Sequence, residues 1–294
     1  MSPSNYQTLI AVHELQALQS AGTACVLLDC GFDLADPAAG ERTHAAGHLP
    51  GAHCVHLDRD LAGAKTGADG SSTGSSSGSG GRGRHPLPDF SDFAARAGGW
   101  GIGPGTQVVC HDDQGGIYAA RAWWLLRWLG HAEVAVLDGG RAAWLHAGGT
   151  LQSSAPTGAA KPPYPASQPA MPTVDAAALQ RLLGRALLLD ARAPERFRGE
   201  VEPLDPVAGH IPGASNRFFK LNLAADGRFK PAAQLREEFQ QLGSAADVVH
   251  QCGSGVTACH NLLAMAHAGL QPGALYPGSW SEWCSDPARP VARG

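Results

Sequence analysis

The chain contains the same pattern twice, and that limits its possible folds more than any other feature. Val26-Leu-Leu-Asp29 precedes Gly47-His-Leu-Pro-Gly-Ala52, and Leu187-Leu-Leu-Asp190 precedes Gly209-His-Ile-Pro-Gly-Ala214. Further on, Thr106-Gln-Val-Val-Cys-His111 matches Asp247-Val-Val-His-Gln251. Each leads into a Gly-rich turn and a helical pattern. Leu137-Asp-Gly-Gly-Arg-Ala-Ala-Trp144 is echoed by Tyr276-Pro-Gly-Ser-Trp-Ser-Glu-Trp283. Four landmarks in one order, in both halves of a 294-residue chain, mean duplicated domains and not a solenoid.

Within each half, short apolar runs alternate with helical patterns. In the second half the expected order is helix Asp175–Leu183, strand Ala186–Asp190, the Gly209–Ala214 turn and helix Ala232–Leu242. Strand Val248–Gln251, helix Val256–His267 and strand Ala274–Tyr276 follow. This alternation predicts an α/β fold in each half, a mostly parallel sheet flanked by helices. Ile117, Ala120, Trp124 and Trp128 fall at helical spacing and predict a packed face. The expected organisation is a first domain over 1–149, a linker over 150–172 and a second domain over 173–294. Prolines at 156, 162, 163, 165, 169 and 172 motivate the linker. Gly63–Arg84 carries a Ser/Gly-rich run that has little to bury and predicts a flexible loop.

The chemistry concentrates at Cys252. The strand-like Val248–Gln251 ends at this cysteine, Gly253-Ser254-Gly255 follows, and a helix begins soon after. Glycines let the backbone curl, and successive N–H groups in such a curl form an anion nest. The helix N-terminus adds positive potential. A cysteine held there is expected to be an activated thiolate. The other cysteines, at 25, 30, 54, 110, 259 and 284, lack this setting, and core positions are expected for Cys25, Cys110 and Cys259. No C-x-x-C pair exists, so neither a metal site nor a thioredoxin-type motif is expected. A formal charge of −4 without a basic run argues against nucleic acid as a partner. No apolar stretch reaches the length of a membrane span, and the N-terminus lacks a secretory pattern. A cytoplasmic location is expected, where a free thiol persists.

With these landmarks the whole chain resembles the tandem-domain rhodanese-like sulfurtransferases, and Cys252-Gly-Ser-Gly-Val-Thr-Ala258 resembles the 3-mercaptopyruvate sulfurtransferase loop. The resemblance implies two rhodanese folds with catalysis in the second. Aligning Val108-Val109 with Val248-Val249 places Asp112 opposite Cys252, so the first half has no thiol there. The implied reaction takes a sulfane sulfur from an anionic donor onto Cys252 as a persulfide, then passes it to a thiol or cyanide, with thioredoxin as one possible acceptor. The backbone of Gly253, Ser254, Gly255, Val256 and Thr257 would bind the anionic sulfur. No cofactor is implied. Arg196 matches the family's first donor-binding arginine, while Leu204 stands where a second is expected after Glu202-Pro203. Arg198 and Arg217 are candidates to substitute in space. Ser254, His85 and Asp58 match a serine–histidine–aspartate group found in some mercaptopyruvate enzymes. His48, His210, Asp190 and Arg192 are expected to brace the fold, and Trp280 and Trp283 to pack or to wall the pocket.

Thiosulfate-preferring relatives carry basic residues after the cysteine, whereas Gly253 and Ser254 are small and neutral here. That favours 3-mercaptopyruvate over thiosulfate. A cysteine phosphatase of the C-x5-R type would need arginine at 258, where Ala258 stands. A non-catalytic sulfur-carrier or regulatory module is the remaining alternative, and it would need the cysteine missing or blocked.

Overall fold

The computed structural model describes residues 5–64, 82–156, 158–243 and 247–294. Most of the Ser/Gly-rich run, residues 65–81, lies outside the described residues. The chain forms two compact units: 1–61, 88–171 and 225–229 in the first, and 62–87, 172–224 and 230–294 in the second.

The first unit holds strands β1 (Leu9–Ile10), β2 (Cys25–Asp29), β3 (His53–Cys54), β4 (Gln107–His111) and β5 (Val134–Leu137). The second holds β6 (Leu187–Asp190), β7 (Ser215–Asn216), β8 (Val248–Gln251) and β9 (Ala274–Leu275). The first sheet runs β1-β5-β4-β2-β3 and the second runs β7-β6-β8-β9. Every strand pair is parallel. The second sheet repeats the first in reverse listing, with an isolated parallel bridge from Thr173 to Leu275 where β1 would stand. The duplication seen in the sequence is therefore a duplication of topology.

All residues of β4 and β5 are buried, as expected of parallel strands covered on both faces. One core gathers Ile10, Leu15, Leu27, Val109, Leu137 and Trp144, and the other Leu179, Leu188, Val249, Tyr276, Trp280 and Trp283. The predicted tryptophan face is the helix Ile117–Trp128, with Trp123 and Trp124 buried and Trp124 stacked on Trp128. The paired motifs serve matching structural ends. His48 and His210 each bond a nearby carbonyl through Nδ1 at 2.8 Å, and each joins an antiparallel bridge. Gly51 and Gly213 take φ of +80° and +79°, which only glycine adopts without strain.

By contact, the units are not contiguous in sequence. Residues 62–87 join the second unit: Gly63 N–H donates to Pro86 O at 3.0 Å, and Arg84 N–H to Ser281 Oγ at 3.1 Å. The Pro-rich stretch is laid on the first unit. Lys161, Tyr164 and Ala170 N–H groups donate to the carbonyls of Gly98, Ala94 and Trp128. Prolines cannot donate, and the residues between them supply the bonds.

Candidate active site

β8 lies between β6 and β9 in the second sheet, and its C-terminal end delivers Cys252 to the sheet edge where ligands of such folds bind. The helix expected from Val256 starts at Ala258 instead. Cys252–Thr257 curl first, and Gly255 takes φ of +79°. A Cβ on Gly255 would meet Pro277 O at 2.5 Å, so this position admits only glycine.

Cys252 is 2% exposed, and Gly255 N–H donates to its Sγ at 3.2 Å. Its backbone is clamped at both ends. Cys252 N–H donates to Ser279 Oγ at 3.1 Å, and Trp280 N–H donates to Cys252 O at 3.0 Å. Gly253 O accepts from Ser281 N–H at 2.9 Å. Ser279 is buried at φ of +52°, an uncommon conformation for a residue with a side chain, held by its own Oγ–H bond to Tyr276 O. Ser279 was not singled out from the sequence; nothing in its neighbours' pattern signals a strained clamp.

Ser254 and His85 are both buried, and His85 Nδ1 lies 2.7 Å from Ser254 Oγ. Both belong to the second unit. Asp58, the third member of the expected group, lies half-buried on the short helix Leu57–Asp60 of the first unit.

A chain of alternating charges borders the loop. Arg192 donates to Asp190 at 2.7 Å and reaches Glu202 at 3.4 Å. Glu202 accepts from Arg196 at 2.6 Å, and Arg196 stands 3.5 Å from Asp205, which also pairs with Arg84. Burial opposes the Arg192 charge, but Asp190 and Glu202 offset it and raise the pKa. Glu202 also caps the N–H groups of Leu204 and Asp205, shaping the turn that positions Asp205. Arg196 and Arg84 both face Gly253: a Cβ there would lie 2.9 Å from Arg84 Nη2 and 3.5 Å from Arg196 Nη1. Sequence reasoning found Arg196 but missed Arg84, Glu202 and Asp205. Arg198 pairs with Glu200 at the surface, and Arg217 with Glu238, so neither substitutes beside Arg196. Leu204 is exposed. Trp280 and Trp283 are fully buried in the core and do not wall a pocket, and Arg192 lies over the Trp280 ring.

The remaining cysteines contrast with this setting. Burial pushes Cys25 up to about 12 and Cys54 and Cys284 to about 11, which leaves them as protonated thiols at neutral pH. Cys259 is buried and donates to Gly255 O at 3.3 Å, bracing the loop from below. In the first unit Asp112 stands at the end of β4, where Cys252 stands after β8. Its carboxylate accepts the N–H groups of Gln114, Gly116, Tyr118 and Ala119 at 2.8–3.0 Å. The nest of the first unit thus encloses its own anion.

Comparison with known proteins agrees with this duplicated fold. The rhodanese-like domain family matches residues 11–147 and 175–286. A probable 3-mercaptopyruvate sulfurtransferase from Pseudomonas aeruginosa is 49% identical over 92% of each chain. A Mycobacterium tuberculosis protein provisionally named a thiosulfate sulfurtransferase is 42% identical over 98% of each. The solved 3-mercaptopyruvate sulfotransferase from Escherichia coli superposes with a TM-score of 0.72 at 27% identity, covering 94% of this chain and all of that one. With two matched domains and relatives aligned nearly end to end, the chain belongs to the rhodanese-like family and is a tandem-domain sulfurtransferase.

Proposed function

We propose that the chain transfers sulfur from 3-mercaptopyruvate through a persulfide on Cys252. The observation that carries this reading is the buried Ser254–His85 contact at 2.7 Å, two residues along the loop from the Cys252 sulfur. Thiosulfate needs no proton when its outer sulfur leaves. Mercaptopyruvate does: its carbon skeleton departs with the electron pair of the broken C–S bond. Cys252 Sγ attacks the donor sulfur, the C–S bond breaks, and the pair moves onto the pyruvate skeleton as an enolate. The Ser254 hydroxyl, backed by His85, is placed to polarise the donor carbonyl and to relay the proton that converts enolate to pyruvate. The loop N–H groups of Gly253 through Thr257 would stabilise the persulfide anion. An acceptor thiolate or cyanide then attacks the outer sulfur and returns Cys252 as a thiolate. Thioredoxin would suit this second step, and a reducing cytoplasm would keep the seven free cysteines reduced.

Thiosulfate is the second reading, favoured by the name of the mycobacterial relative. Steady-state kinetics of the wild type and Ser254→Ala with both donors decide between them. The substitution is expected to lower kcat with mercaptopyruvate by about a hundredfold or more, the usual range for a lost proton relay, and to spare thiosulfate turnover. Equal effects on the two donors would remove the proton role. Mass spectrometry after donor exposure should find the added sulfur on Cys252, and an unmodified Cys252 would leave the carrier-module alternative standing.

A further inference from the structure

We infer that Arg84 is the second cation that grips the carboxylate of the sulfur donor, opposite Arg196. This rests on the mercaptopyruvate reading and names a residue that it had left out. Two guanidinium groups from distant segments meet over one glycine. Arg84 Nη2 and Arg196 Nη1 lie 2.9 and 3.5 Å from the position of a Cβ on Gly253, immediately after the nucleophile. They are tied to each other through Asp205, whose two oxygens face one arginine each. Asp205 engages Arg84 through Nη1, while Nη2 faces Gly253. Arg196 Nε is buried, and no acceptor reaches it among the described residues. The Arg84 side chain keeps 27% of its surface exposed and that of Arg196 19%, so a donor can reach both. A donor carboxylate over Gly253 would find a cation on each side, with its sulfur directed toward Cys252. Arginine suits this because its planar donors match the two oxygens of a carboxylate.

A purely structural role for this side chain is poorly supported. The segment is already fastened by backbone: Arg84 N–H donates to Ser281 Oγ, and Gly83 lies so close to Gly278 O that its Cβ would fall 2.7 Å away. The adjacent His85 reaches Ser254, so one short segment brings both the proton-handling side chain and a cation to the loop. Leu204, where a second arginine was expected, is exposed and needs no such role.

The test is steady-state kinetics of the full chain with 3-mercaptopyruvate and thiosulfate, with thermal melting of each variant. Arg84→Met is expected to raise KM for mercaptopyruvate by about ten- to a hundredfold, the worth of one charge-assisted hydrogen bond, with little change in kcat and a smaller change for thiosulfate. Arg84→Gln keeps a donor for Asp205 and removes the charge, so it should show the same KM rise even if the methionine variant melts early. Asp205→Asn breaks the ion pair but leaves both arginines, and it should hold or lower the mercaptopyruvate KM. Three results would overturn the inference: an unchanged KM in Arg84→Gln, equal losses with both donors, or an Asp205→Asn variant as impaired as Arg84→Met. A wild type that turns over thiosulfate but not mercaptopyruvate fails the donor reading itself, and takes this inference with it.

Discussion

At the scale of single residues, one cysteine is set apart by how its sulfur and its peptide are held. Gly255 N–H meets Cys252 Sγ, and Ser279 and Trp280 fix the peptide on either side. Cys252→Ser should therefore cost at least about three decades of turnover with either donor, because a serine hydroxyl has no comparable nucleophilicity at neutral pH. Substantial residual turnover would move the nucleophile elsewhere. Cys110→Ala, in the core of the first unit, should leave kcat near wild type. Ser279→Gly is a subtler case. It relieves the φ of +52° but removes the Oγ that receives Cys252 N–H, so stability should change little while turnover falls. A variant with unimpaired turnover would show that the clamp is not needed for chemistry. Cys252 and its glycines were legible because strand, Gly-rich turn and helix are contiguous in sequence, whereas the Ser254–His85 match came from the family resemblance alone. Arg84, Glu202, Asp205 and Ser279 were not legible. Each acts through partners in other segments, as in the Arg84–Asp205 pair, and no periodicity marks such positions.

At the scale of elements, each sheet presents one strand end to a nest, and the two nests are filled differently. Asp112 accepts four backbone N–H groups at the end of β4. Asp112→Ala would leave those donors buried and unpaired, at a cost of about 2–4 kcal/mol. Urea unfolding should report that loss, while turnover at Cys252 stays unchanged at temperatures where the variant is folded. A stability change near zero would mean that water replaces the carboxylate. β8 carries a second sensitivity. Burial pushes His250 down from 6.5 to about 4, so the unfolded chain binds a proton that the folded chain rejects. Between those values stability falls as pH falls, by about 3 kcal/mol in all for this group. Burial pushes His111 and His131 down as well and adds to the same trend. The melting temperature should drop on acidification below 6.5, and His250→Leu should flatten that drop. An equally steep profile in the variant would assign the effect to the other histidines. The parallel topology was readable from the alternation of apolar runs and helical patterns. The late start of the Ala258–His267 helix was not, because the helical spacing continues back through residues that the nest curls away.

At the scale of the molecule, the duplication announced two like domains, but the division into compact units is less simple than the repeat suggests. Residues 62–87 precede most of the first unit's sequence yet belong to the second compact unit, through bonds to Ser281 and Ser254. A repeat boundary is a statement about ancestry, whereas a compact unit is a statement about contacts, and only the former is written in the motifs. A fragment over 173–294 should accordingly lack Arg84 and His85 and show little mercaptopyruvate turnover even where circular dichroism finds it folded. A fragment as active as the full chain would show that residues 62–87 are dispensable. Shortening the run over 70–81 should leave the melting temperature near wild type, since Ser and Gly bring no apolar area and loop length costs stability only logarithmically. A large fall in melting temperature would show that the run packs. The placement of 62–87 also bears on the history of the chain. After a duplication, the copy without the thiol is ordinarily free to decay or be deleted. Here its polypeptide carries the His85 that meets Ser254 beside Cys252, so a role for that contact in the chemistry would place the first half's gene segment under selection for the second half's activity.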